Sequence, residues 1–152
     1  MAGSAVHPRD AEFLRLAKRA GRRARRAALF AAETALHAAP VAHDIVAKAL
    51  AALSRSDLEA AQTLRGGLER VTSDLDERYL AAQTASPDAP GEVEETFSRA
   101  RAANALLCAL ADDPIDAAVD SIYEAQASLQ EADRDQFLEA AKGLLLQLQT
   151  DE

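Results

Sequence analysis

The sequence has no tryptophan, one cysteine and one methionine, and only four phenylalanines and two tyrosines among 152 residues. A single cysteine excludes an internal disulfide and any zinc site built from several thiolates. Cys108 lies in the apolar run "NALLCALA", where a thiol serves as a small hydrophobe. Isoleucine and valine are scarce as well, three and six residues, so strand formers of every kind are few. No apolar stretch reaches the roughly 18 residues that a membrane-spanning helix requires. There is no glycine-rich phosphate loop, no serine–histidine–aspartate order and no metal-binding cysteine set. What the chain does have is 37 alanines and 20 leucines, both strong helix formers. The composition predicts an all-α protein: a single helical domain over 1–152, folded as an antiparallel bundle of five or six helices. Alanine-rich faces bury little area each, so these helices must approach closely.

Proline, glycine and capping residues punctuate the chain. Pro8 closes a tail over 1–9, and Asp10 offers an N-cap for a helix running to Ala39. Pro40 breaks that helix, and a shorter one follows over 41–53. Ser56 and Glu59 have the spacing of a capping box. Beyond them Leu58, Ala61, Leu64, Leu68, Val71, Leu75, Tyr79 and Ala82 keep one helical face. Gly66-Gly67 falls inside that unbroken stripe, which predicts one helix, bent there or crossed closely by another. "TASPDAPGE", 84–92, reads as an internal loop. The next helix covers 92–111, with Val93, Phe97, Ala100, Asn104, Leu107 and Ala111 on one face. Asp113 and Pro114 have the cap and first-position chemistry of a further helix. Asp133 is placed to cap the last, which carries Phe137, Ala141, Leu144, Leu145 and Leu148.

Charge is distributed unevenly. The chain carries a net charge of −8, yet residues 1–27 hold eight basic side chains and two acidic ones, leaving −14 on the remainder. Within "AKRAGRRARRAALF" and the turn before it, Arg15, Lys18, Arg19, Arg22, Arg23 and Arg26 fall within an arc of about 140° on a helix. Phe13, Ala17, Ala20, Ala24, Ala27 and Ala31 fall opposite. The tract is thus one side of an amphipathic helix whose alanine side docks on the bundle. Glu33 and His37 interrupt the apolar region an export signal would need, and Asp10 and Glu12 are foreign to a transit peptide, so a retained, cytoplasmic chain is expected.

Asp112, Asp116, Asp120 and Glu124, spaced by four, form an acidic row of a length that matches the row of Arg15, Arg19, Arg22 and Arg26. The two rows are therefore candidates to pair internally. Otherwise the basic face would meet an acidic protein or a nucleic acid, and the acidic row a basic protein. Two shorter patterns bear on catalysis. His43-Asp44 shares a dipeptide with the metal phosphohydrolases of the HD superfamily, and junction histidines account for it. Glu92-x-x-Glu95 followed by Asp113-x-x-Asp116 resembles the Glu-x-x-Glu … Glu-x-x-Asp pattern of the all-α nucleoside triphosphate pyrophosphohydrolases, with Asp in place of the third Glu. That resemblance implies four carboxylates holding Mg²⁺ on nucleotide phosphates.

Three functions are carried forward. The first is a non-catalytic adaptor, regulator or immunity-type inhibitor that binds a basic protein through Asp112, Asp116, Asp120 and Glu124, with no cofactor and with a homodimer open to its alanine faces. The second is a Mg²⁺-dependent pyrophosphohydrolase using Glu92, Glu95, Asp113 and Asp116. The third is nucleic-acid binding through Arg15, Lys18, Arg19, Arg22, Arg23 and Arg26.

Overall fold

The computed structural model describes residues 11–85, 88 and 90–149, so the expected tail over 1–9 and the Asp10 cap lie outside the described residues. Helices α1 (Ala11–Ala20), α2 (Ala24–Ala38), α3 (Asp44–Ser54), α4 (Leu58–Thr63), α5 (Arg65–Ala85), α6 (Pro90–Ala109), α7 (Pro114–Ser128) and α8 (Glu131–Gln147) follow one another, with a 3-10 turn over Gly21–Arg23 joining α1 to α2. No strand occurs among the described residues.

The all-α class is as the composition implies, but five or six helices is an undercount. One split falls at Gly21, whose φ of 61° is open to glycine and strained for any residue with a β-carbon. The other falls at Leu64, just before the Gly66-Gly67 pair that weakens the helix. The expected close crossing occurs at that pair: a β-carbon on Gly67 would run into the Ile45 side chain of α3.

Several helix boundaries also differ from the sequence reading. Ser56 does not cap α4. It closes α3 in a left-handed conformation (φ 60°), its N–H reaching Leu53 O and that of Asp57 reaching Ala52 O, the pattern of a Schellman ending. The cap of α4 is Asp57, which accepts from Ala60 N at 3.1 Å. The 84–92 loop is shorter than expected, because α5 runs to Ala85 and α6 begins at Pro90. Helix α8 starts at Glu131, before Asp133, with Gln130 as an N-cap that makes no side-chain bond. Asp113 does cap α7, accepting from Ile115 N at 2.8 Å with Pro114 in the first turn.

Helix α6 packs against α7, α5 and α2. Arg101 of α6 meets Asp76 of α5 and Glu124 of α7. Ser121 of α7 donates to Ala105 O of α6 at 2.9 Å. Tyr79 of α5 lies against Phe97 of α6, so along both the α5–α6 and the α6–α7 contact the pairings run in opposite directions, and the three helices are successively antiparallel. Arg25, near the start of α2, reaches the end of α6, which makes α2 antiparallel to α6 and parallel to α7. Being covered on three sides explains why the one-face reading of α6 fails. Ala102, Ala103, Ala105, Leu106, Ala109 and Leu110 are buried beside the expected Ala100, whereas Val93, Phe97, Asn104, Leu107 and Ala111 are only half-buried. Asn104 turns its amide back onto Ala100 O of its own helix, at 2.9 Å.

Alanine makes the contacts. Ala24, Ala27, Ala28, Ala31, Ala32 and Ala35 of α2 and Ala117, Ala118 and Ala125 of α7 are fully buried. Phe13, Leu68, Leu106, Leu110, Ile122 and Leu145 supply the bulk between them. Phe30 stacks on Phe137 at 5.8 Å between ring centres, tying α2 to α8. Lys142 of α8 meets Glu12 of α1 at 3.4 Å.

Candidate functional site

The basic tract is built from the inside outward. Phe13, Leu16, Ala17, Ala20, Ala24, Ala27 and Ala31 are buried and seat α1, the 3-10 turn and α2 on the core. Arg15, Lys18, Arg19, Arg22, Arg23 and Arg26 are all exposed on the other side. The turn at Gly21 therefore does not disturb the two faces. Among the described residues none of these six cations forms an ion pair. The expected pairing of the basic row with the acidic row is thus not made by Arg15, Arg19, Arg22 or Arg26.

Arg25 behaves differently from its neighbours. Its Nη1 donates to Ala109 O (2.8 Å) and Ala111 O (2.6 Å), and its Nη2 to Asp112 O (2.9 Å). One guanidinium so closes the C-terminal end of α6, where main-chain carbonyls lack helical partners and the helix dipole favours a cation. Burial lowers its pKa, and the nearby charges of Asp112 and Asp113 work against that. Sequence reasoning missed this residue because its partners lie more than 80 positions away, and nothing local distinguishes it from Arg22 or Arg26.

The acidic row is partly engaged within the fold. Asp112 precedes α7 instead of lying on it, and its Oδ1 accepts from Gln62 Nε2 at 2.7 Å, which links α4 to the α6–α7 connection. Glu124 accepts from Arg101 Nη1 at 2.8 Å, while Arg101 Nη2 donates to Asp76 Oδ1 at 3.0 Å. Arg101 also lies over Phe97, 5.7 Å from its centre, and Phe97 is tilted against Tyr79. Burial raises the pKa of Glu124; the charge and hydrogen bond of Arg101 oppose the rise and Asp76 and Asp120 add to it. Asp120 is half-buried and Asp116 exposed.

The four carboxylates of the Mg²⁺ reading are not brought together. Glu92 and Glu95 lie in the first turns of α6, and Asp113 and Asp116 at the start of α7. Because the two helices are antiparallel, the pairs sit toward opposite ends of α6, ~20 Å or more apart at 1.5 Å per residue. Among the described residues no three His, Cys, Asp or Glu side chains are grouped so as to hold a metal ion. The resemblance to the pyrophosphohydrolases therefore rests on spacing that chance and helix-start acidity explain.

His37 and His43 are junction residues. His37 is exposed in the last turn of α2, and His43 caps α3, its Nδ1 accepting from Ile45 N at 3.2 Å. The Cys108 thiol is pushed up to about 12, first by burial and then by Glu124 and Asp120, so it stays protonated at neutral pH and is a poor nucleophile. A groove of about 900 Å³ runs from Ala38–Pro40 past Phe97 and Arg99 to the α7–α8 corner. Its Arg134 is committed to Gln126 O and Leu129 O, each at 3.1 Å. Among the described residues no helix is long and apolar enough to cross a membrane.

Comparison with known proteins returned no match among protein-family models, curated proteins or solved structures.

Proposed function

We propose that the protein is a binding module whose working surface is the basic face of α1, the 3-10 turn and α2, and that it engages an anionic macromolecule. The observation that carries this reading is the set of six exposed cations that form no ion pair among the described residues, held on a floor of fully buried alanines. Like charges at helical spacing cost a few tenths of a kcal/mol per pair, and among the described residues no ion pair offsets them. An external partner would. Docking of a basic protein on Asp112, Asp116, Asp120 and Glu124 has less support, because Asp112 and Glu124 already bind Gln62 and Arg101. The pyrophosphohydrolase reading has less still, since its carboxylates are divided between the two ends of α6.

Chromatography on a polyanionic resin tests the proposal. A chain of net charge −8 should flow through if its charge acts as an average. Retention at low salt, lost in the Arg19→Glu/Arg22→Glu/Arg26→Glu variant, is the expected result. Flow-through of the unaltered protein, or equal retention of the variant, overturns it.

A further inference from the structure

We infer that the partner of the basic face is the phosphodiester backbone of a nucleic acid, contacted without regard to base sequence. This rests on the binding-module reading above and adds the chemistry of the partner.

From Arg15 to Arg26 every exposed side chain is a cation. The apolar residues of the same stretch, Leu16, Ala17, Ala20 and Ala24 among them, are turned into the core. Protein interfaces are organised around a desolvated centre with aromatic or aliphatic anchors, and this face presents none. It also carries no Asn, Gln, Ser or Thr between Ala11 and Glu33, so it lacks the amide and hydroxyl groups that join Arg in reading base edges. Cations with little else suit contacts that position a protein on a phosphate backbone.

Two further features agree. Five of the six cations are arginine, whose planar fork matches phosphate oxygens in pairs. The face from Arg15 to Arg26 is ~17 Å long at 1.5 Å per residue, and a duplex presents about ten phosphate charges over that length. The acidic remainder, at −14, repels the duplex beyond this one face, so the contact is local and strongly dependent on salt. A membrane surface is the poorer fit, because the alanine side of the helix is consumed by the core and leaves nothing to insert.

The test uses the full-length protein and four labelled probes: a mixed-sequence duplex DNA, a mixed-sequence single-stranded RNA, polyglutamate and phosphatidylserine vesicles. We expect both nucleic acids, or one of them, to bind, with polyglutamate and vesicles much weaker. For duplex DNA, six phosphate contacts give a loss on the order of 10³-fold between about 50 and 200 mM salt. Arg19→Glu/Arg22→Glu/Arg26→Glu should abolish binding while circular dichroism stays unchanged. The corresponding triple change to Lys should keep the salt dependence at reduced affinity. Binding of polyglutamate or vesicles in preference to nucleic acid overturns the nucleic-acid assignment and leaves the binding-module reading standing. Failure to bind any of the four overturns both, and nucleic-acid binding indifferent to the Glu variant overturns the placement on this face.

Discussion

Arg25 sits one residue from Arg26, in the same helix, yet its guanidinium donates to three main-chain carbonyls while that of Arg26 projects into solvent. The difference follows from the angle of about 100° between successive residues, which turns Arg25 toward the end of α6. Arg25→Met should cost about 1–3 kcal/mol, the range for charge-assisted bonds and stranded carbonyls, read as a lower urea midpoint. Arg25→Lys should recover only part of that loss, because an ammonium lacks the fork that spans several carbonyls; full recovery would show that charge alone matters. Ser56 presents the opposite case, a residue whose backbone works against it. At φ 60° it occupies the place glycine takes in a Schellman ending. Ser56→Gly is expected to raise stability by up to about 1 kcal/mol, and an unchanged or lower midpoint would contradict that. Neither residue was legible from sequence. The bonds of Arg25 join distant segments, and the capping-box spacing at Ser56 and Glu59 concealed a helix ending one residue before the true cap at Asp57.

At the scale of elements, legibility depended on how many sides of a helix are covered. The tract from Arg15 to Arg26 keeps one side outside the bundle, so a single apolar face with period 3.6 described it well. Helix α6 lies between three neighbours, and alanine carries too weak a hydropathy signal to mark which of its sides are covered. The adjacent glycines of α5 offer an internal control. Gly66→Ala meets open space and should gain about 0.8–1 kcal/mol of helix propensity. Gly67→Ala gains the same term but must displace Ile45, so its net gain should be smaller or negative; equal effects in thermal unfolding would remove the close α3–α5 contact as the reason for Gly67. The cluster of Arg101, Asp76 and Glu124 adds a dependence on pH. Because the pKa of Glu124 is raised in the fold, the folded state keeps its proton to higher pH than the unfolded chain does. Its stabilising contribution is therefore complete below the ordinary carboxylate range and is lost as pH rises through the raised value. Glu124→Gln cannot titrate, so it should gain on the unaltered protein as pH rises out of the ordinary carboxylate range; parallel stability curves would show that the carboxyl titrates alike in both states.

At the scale of the whole molecule, the all-α class followed from composition, and the two faces of the basic tract from periodicity. The partitioning of charge was legible too, but its use was not. Whether two oppositely charged rows meet is decided by packing, and the packing here gives Glu124 to Arg101 and Asp112 to Gln62. The alanine floor has one further consequence, and it concerns the unfolded chain. Burying an alanine freezes no side-chain rotamers, and alanine favours helix even without neighbours. The α2 segment, with seven alanines among 15 residues, should therefore keep fluctuating helical turns after the bundle has come apart. Denaturation then exposes less new surface than chain length implies, and the denaturant slope should be shallow for 152 residues.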